Sequence, residues 1–366
     1  MNRERFPGLA GSWARLDGPA GTQMVDDAIA AMDAFMRSGR NANSHGAFAA
    51  AQDTDACVEE ARGEVAALFA CDPRGVIFGP SMTALTMRFA RTVITPGDEV
   101  VCTRLDHDAN VRPWVRAGAE VRFAEPDPET LELHSVPVTE NTKWVCVTAA
   151  SNALGTIPDL EAITAQAREV GARVYVDAVH AAPHRRLDAT QYDVLACSAY
   201  KWFGPHIGIQ CADPAFLETL HPDKLEPSPD EVPDRFELGT LPFESLAGVA
   251  AAARYVRSLG WDAVHAHEQA LLRRALDGLG AIDGVTLYGD ARDRTSTLMF
   301  NVAGRTALEV AEHLAAREIA VWHGNYYAYE LERLLGLDPY GAVRAGFVHY
   351  NDESDADRLV EAVAEC

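Results

Sequence analysis

Val174-Tyr175-Val176-Asp177 and, further on, Val194-Leu195-Ala196-Cys197-Ser198-Ala199-Tyr200-Lys201 decide how this chain is read. Each is a short apolar run that ends on one ionisable residue, Asp177 in the first case and Lys201 just beyond the second. Similar runs recur at Gly75–Phe78, Glu99–Thr103, Ala119–Phe123, Trp144–Thr148 and Ile207–Cys211, with Ala-rich amphipathic stretches between several of them. This alternation predicts an α/β chain with a mostly parallel, wound sheet. Ligands of such sheets sit at the carboxyl ends of the strands, which is where Asp177 and Lys201 fall.

Taken singly, a lysine in a chain with 32 Lys+Arg reads as a surface residue, and an aspartate at a strand end as a helix cap. Taken together, they suit pyridoxal phosphate. That cofactor needs a lysine amine to hold its aldehyde as a Schiff base and a carboxylate to keep its pyridine nitrogen protonated, so that the ring can accept electrons. The surrounding residues, Asp177-Ala178-Val179-His180-Ala181-Ala182-Pro183-His184 and Ser198-Ala199-Tyr200-Lys201-Trp202-Phe203-Gly204-Pro205-His206, resemble the class V aminotransferases and, among them, the cysteine desulfurase-like branch. The resemblance runs from Asp17-Gly18-Pro19 to Arg344-Ala345-Gly346-Phe347, with the motifs in the family's order.

That likeness implies the fold type I of pyridoxal phosphate enzymes, with a seven-stranded sheet between helices and a smaller C-terminal α/β domain. The domains are expected at 16–245 and 246–366, preceded by an N-terminal segment, 1–15. A Pro- and acid-rich loop, Glu226–Asp234, should lead out of the large domain, and a helix near Leu246–Leu259 into the small one.

The likeness also assigns roles. Lys201 is the Schiff-base residue, Asp177 faces the pyridine nitrogen, and His180 reaches the phenolic oxygen. His107 stacks on the ring and can act as acid or base, so Lys201, His107 and Asp177 form the catalytic set. The turn Gly79-Pro80-Ser81-Met82-Thr83 feeds a helix start, where backbone N–H groups suit a phosphate, and Ser81, Met82, Thr83 and Ser198 are assigned to it. A simple Ser/Thr helix cap is the plainer reading of that turn. Tyr200 adjoins the lysine, and Asn152 is expected at the phenolic oxygen or the substrate, although alone it reads equally well as a turn residue. Gly239 and Thr240 resemble the segment by which a partner subunit completes the site, which predicts a homodimer. Arg344 is the expected holder of a substrate carboxylate, because a planar guanidinium offers two parallel hydrogen bonds. Asn43, His45, Tyr326 and Tyr327 are placed near the substrate.

One position departs from the branch. Cysteine desulfurases carry a loop cysteine that takes up sulfur as a persulfide, and Tyr327, in Val321-Trp322-His323-Gly324-Asn325-Tyr326-Tyr327-Ala328, stands at its place; no cysteine occurs between Cys211 and Cys366. A phenol cannot hold a persulfide. The expected reaction is therefore C–S cleavage by β-elimination from a cysteine-type amino acid, with transamination and then epimerisation as alternatives, and a non-catalytic scaffold as a further one.

Composition narrows the partners. A formal charge of −22 repels nucleic acid and anionic membranes. No stretch reaches the roughly 18 apolar residues of a membrane span, and Met1–Pro7 lacks the apolar core of a signal peptide, so a cytoplasmic protein is expected. Seven cysteines without C-x-x-C spacing read mostly as small core hydrophobes. His107, flanked by two aspartates, could ligate a metal, but no paired-histidine motif supports one and no metal is expected. No strand is followed by G-x-G-x-x-G, which argues against a nicotinamide enzyme.

Overall fold

The computed structural model describes residues 3–39 and 41–366; Met1 and Asn2, the first positions of the N-terminal segment, lie outside the described residues. Seven strands form the main sheet: β1 (Val76–Gly79), β2 (Glu99–Thr103), β3 (Glu120–Ala124), β4 (Thr142–Thr148), β5 (Arg173–Asp177), β6 (Val194–Ser198) and β7 (Gly208–Ala212). Their order across the sheet is β1-β7-β6-β5-β4-β2-β3. Only β7 runs against its neighbours; the β6-β5-β4-β2-β3 pairs are all parallel. Each of the seven runs anticipated from sequence is a strand, with ends that move by at most two residues.

The period of two along these strands explains why they are apolar throughout. Val145, Val147, Val174 and Val176 point into one core, whereas Trp144, Cys146 and Tyr175 point into the other. A parallel sheet covered on both faces requires this pattern. On the second face Trp114 stacks on Trp144 at 5.8 Å and meets Tyr175 edge-on at 5.3 Å. The Tyr175 hydroxyl is satisfied by Thr86 and Gln210, each at 2.7 Å, so its burial leaves no unpaired polar group.

Helices α1 (Asp26–Arg37), α2 (Ala49–Phe69) and α3 (Met82–Val93) belong to this body. Helix α5 (Phe243–Arg257) packs on α1 and α2, and its apolar residues from Leu246 to Val256 lie in the larger core, as does α4 (Leu160–Glu169) through Leu160, Ile163 and Ala167. The chain then turns into α6 (Trp261–Gly280), which packs on α8 (Glu353–Ala364) around a separate core that also takes in α7 (Ala307–Ala315). This second body carries an antiparallel sheet of β8 (Val285–Tyr288), β9 (Thr297–Val302), β10 (Trp322–Gly324) and β11 (Ala342–Gly346), in the order β10-β11-β9-β8. The N-terminal segment joins it, because Ala14–Arg15 pairs in parallel with Ile319–Ala320. Among the described residues no helix is long and apolar enough to cross a membrane, and all seven cysteines are free.

Candidate functional site

The carboxyl ends of the parallel strands open onto a recess lined by Ser81, Met82, Thr83, His107, Ala109, Thr148, Asn152, Asp177, Val179, His180, Ser198, Tyr200 and Lys201. Eleven of these come from positions singled out in the sequence or directly beside them, and the topology explains why they meet. Asp177 ends β5, Ser198 ends β6, and Lys201 lies on the short 3-10 turn Ala199–Lys201 that follows. Thr148 ends β4, and the turn after β1 brings Ser81 to the start of α3.

Lys201 is buried, and its ammonium donates to the carbonyl of Pro19. Burial, reinforced by the Arg344 charge and only partly offset by Asp177, pulls its pKa down to about 7. Asp177 is likewise buried; it accepts the Val179 N–H at 2.9 Å, has no cation within ion-pair distance among the described residues, and burial pushes its pKa up to about 6. A lysine that tends to lose its charge and a carboxylate without a counter-ion in one recess form an unfinished pair.

At the phosphate turn, Ser81 caps α3 by accepting from the Ala84 N–H at 3.1 Å, so the plainer helix-cap reading describes its hydroxyl. The Met82 N–H reaches the Ser198 hydroxyl at 3.4 Å, and Thr83 is exposed at the helix start. The approach to the sheet here is so close that a Cβ on Gly208 would lie 2.2 Å from the carbonyl carbon of Ser81 and 2.5 Å from the Met82 nitrogen. Only glycine at that position lets the first turn of α3 rest on β7.

His107 sits between two aspartates that are both engaged elsewhere. Asp106 accepts from the Thr103 N–H at 2.8 Å and from Asn110 at 3.1 Å, while Asp108 pairs with Arg112 at 2.8 Å. Burial, then the charges of Lys201 and Arg344, lowers the His107 pKa to about 4, so the ring is neutral at pH 7. Tyr327 stacks on it at 5.3 Å while remaining exposed.

Arg344 comes from β11 of the second body. It donates to the Asn152 carbonyl at 2.7 Å, and its guanidinium lies 4.5 Å from the Tyr326 ring centre. Tyr326 donates to the carbonyl of Ala342, and its own carbonyl accepts from Asn152 Nδ2 at 2.9 Å. Asn152 Oδ1 is buried with no partner. Tyr326 and Tyr327 both have positive φ, 50° and 58°, a strained backbone held by these contacts and by the Asp108 N–H, which donates to the Tyr327 carbonyl at 2.7 Å.

Gly239, Thr240, Asn43 and His45 do not line this recess. They share a second cleft with Asp55, Arg62, Asp234, Glu237 and Phe243. His45 donates its N–H to Asp55 at 3.0 Å, and Arg62 binds Glu237 at 2.8 and 2.9 Å. Sequence reasoning did not single out Thr295 and Thr297, which meet His180 Nε2 at 3.2 and 3.0 Å, or Arg294, whose guanidinium holds the carbonyls of Leu154 and Thr297. These residues lie on the second body, where no motif marks them.

The residues present fit pyridoxal phosphate on physical grounds: a buried neutral-leaning amine, a buried carboxylate without an ion-pair partner among the described residues, an unsatisfied amide oxygen and a helix start that opens onto the recess.

Comparison with known proteins gives an independent measure. The family model for aminotransferase class-V matches residues 14–359. A probable cysteine desulfurase of Mycobacterium leprae is 31% identical over 96% of this chain and 90% of its own length. A cysteine desulfurase of Serratia proteamaculans is 30% identical over 98% and 95%. The solved apo structure of a cysteine desulfurase from Thermococcus onnurineus superposes with a TM-score of 0.91 at 26% identity, covering 99% of this chain and 96% of that one.

Proposed function

The chain belongs to the aminotransferase class-V family and is a cysteine desulfurase-like, pyridoxal phosphate-dependent enzyme, and from that premise we propose that it cleaves the C–S bond of a cysteine-type amino acid by β-elimination, without a persulfide-forming cysteine. One observation carries this reading: no cysteine lines the recess, and the loop residue stacked over His107 is Tyr327.

When bound, the cofactor supplies an electron sink that makes the substrate Cα–H acidic. Lys201 would hold its aldehyde, Asp177 its ring nitrogen, and the first turn of α3 with Ser198 its phosphate. Arg344 holds the substrate carboxylate, exchanging the Asn152 carbonyl for two charge-assisted hydrogen bonds. The Lys201 amine, half neutral near pH 7 and free once the substrate amine has displaced it, would take the proton from Cα. Neutral His107, whose Nδ1 accepts the Ala109 N–H at 3.0 Å, keeps its one ring proton on Nε2 and would donate a hydrogen bond from there to the departing sulfur. Tyr327 covers His107 from solvent, which limits escape of the proton.

The same reading includes a homodimer. Gly239 and Thr240 lie in a cleft flanked by exposed Leu225 and Leu238, and a second copy seated there would bring that segment, with Asn43 and His45, to the partner's recess.

The test is a visible spectrum of the purified protein, then assays for sulfide and keto acid with L-cysteine and cystine. A cofactor band that is lost in Lys201→Ala, with both products released, is expected. Conversion to the pyridoxamine form without sulfide would make it an aminotransferase, and no band after cofactor addition would leave only a scaffold.

A further inference from the structure

A buried polar chain leads away from the recess into the second body. His180, on the turn after β5, lines the recess, and its Nε2 lies between the hydroxyls of Thr295 and Thr297. Both of these contacts are made by Nε2, on the side of the ring that faces the second body. The ring of His184 is 5.3 Å from that of His180, tilted by 57°. His184 Nδ1 in turn lies 2.7 Å from Glu268 Oε2. Glu268 stands on α6, 3.2 Å from the Ser296 hydroxyl, which also donates to the Phe347 carbonyl at 2.6 Å.

The electrostatics of this chain are one-sided. His180, His184 and Glu268 are all buried, and Glu268 Oε1 has no partner. A lone carboxylate in such a place is strongly disfavoured. Among the described residues His184 is its one ion-pair partner, with Nδ1 turned to the carboxylate. Burial is the main cause that holds His180 in its neutral form, and the groups facing it, His184 from its own turn, Lys201 from the turn after β6 and Arg344 from β11, act in the same sense. His349 also feels the His184 charge.

We propose that Glu268, acting through His184, is a positioning residue for His180, and that it fixes His180 as a neutral hydrogen-bonding partner of the cofactor. The residues that grip this arm, Glu268, Thr295, Ser296 and Thr297, belong to the second body, whereas His180 and His184 belong to the first. The docking of the two bodies thus reaches the cofactor through this arm. This rests on the pyridoxal phosphate reading of the recess.

The experiment titrates the visible band of the cofactor-loaded protein against pH in wild type, Glu268→Gln, His184→Asn and the double variant. Freeing or removing the ring that Glu268 holds beside His180 should move the band's midpoint by about half a pH unit to one unit in either single variant. The double variant should move no further than the singles, because both substitutions cut one arm. Unmoved midpoints, or additive shifts, overturn the proposal. A wild-type protein that forms no band refutes the functional reading instead. The arm is then judged without cofactor or variants, by nitrogen NMR of labelled histidines: a proton on His184 Nδ1, the nitrogen facing Glu268, is the expected result, and a bare Nδ1 overturns the assignment even if the variants fail to fold.

Discussion

The pH at which apo-protein captures pyridoxal phosphate follows from the surroundings of Lys201. A solvent-exposed lysine, at its ordinary 10.5, is neutral in about one molecule in three thousand at pH 7. With its pKa drawn down to about 7, the Lys201 amine is neutral in half of the molecules. The difference corresponds to about 5 kcal/mol of disfavoured charge. Stopped-flow growth of the visible band should therefore be half-maximal near pH 7. Two variants give the signs. Arg344→Gln removes a charge that lowers the Lys201 pKa, so its midpoint should rise; Asp177→Asn removes the one that raises it, so its midpoint should fall, each by about one unit. Comparing variants cancels the ionisation of the free cofactor. A wild-type midpoint above about 9, or both variants moving in one direction, would refute the reasoning.

The same shifts bear on stability. The folded pKa of Lys201 lies below its unfolded value, so its burial costs nothing above about 10.5 and its full amount below about 7. That of Asp177 lies above its unfolded value, so its cost is complete above about 6 and gone below 3.8. Both costs are in force between about pH 6 and 7, where added cofactor should raise the unfolding temperature most. An unfolding temperature raised equally at pH 4.5 and 6.5 would count against this. Arg344→Lys should raise KM for the amino acid by about tenfold to a hundredfold while leaving cofactor uptake nearly unchanged, since one charge-assisted hydrogen bond of the pair is worth about 1.5–3 kcal/mol; a KM within twofold would remove Arg344 from the substrate. Arg62→Met strands the buried Glu237 carboxylate and should destabilise by about 3–5 kcal/mol, with Arg62→Met/Glu237→Leu recovering most of it in urea unfolding. Tyr327→Ala uncovers His107 and should raise the solvent-exchange rate of protons at the active site, read by loss of substrate-derived deuterium, more than it lowers kcat.

The main sheet was legible because its strands are apolar on both faces, a pattern that short runs such as Val194–Ser198 carry in themselves. Residues that end these strands were legible for the same reason: a lone Asp177 or Lys201 stands out against Val and Ala. The second body gave weaker signals. Its strands Val285–Tyr288 and Trp322–Gly324 have partly exposed or exposed side chains and no uniform pattern. Glu268 and Thr297 could not be found, because a glutamate within the helix Trp261–Gly280 looks like any surface glutamate until the fold turns it inward. The tyrosines at 326 and 327 were visible as residues, but their left-handed backbone and the stacking on His107 arise from contacts with strands far away in the chain.

Gly208 makes the strand it begins and the helix start it supports a single inherited part. Its missing side chain is the space in which Ser81 and Met82 rest. In a saturation library this position would behave unlike a core glycine whose replacement unfolds the protein: Gly208→Ala should leave two folded bodies and an intact Lys201, yet tilt the anion-binding turn off the sheet. The result would be a well-behaved protein that fails to retain its cofactor, so selection for solubility alone would pass it and selection for colour would discard it.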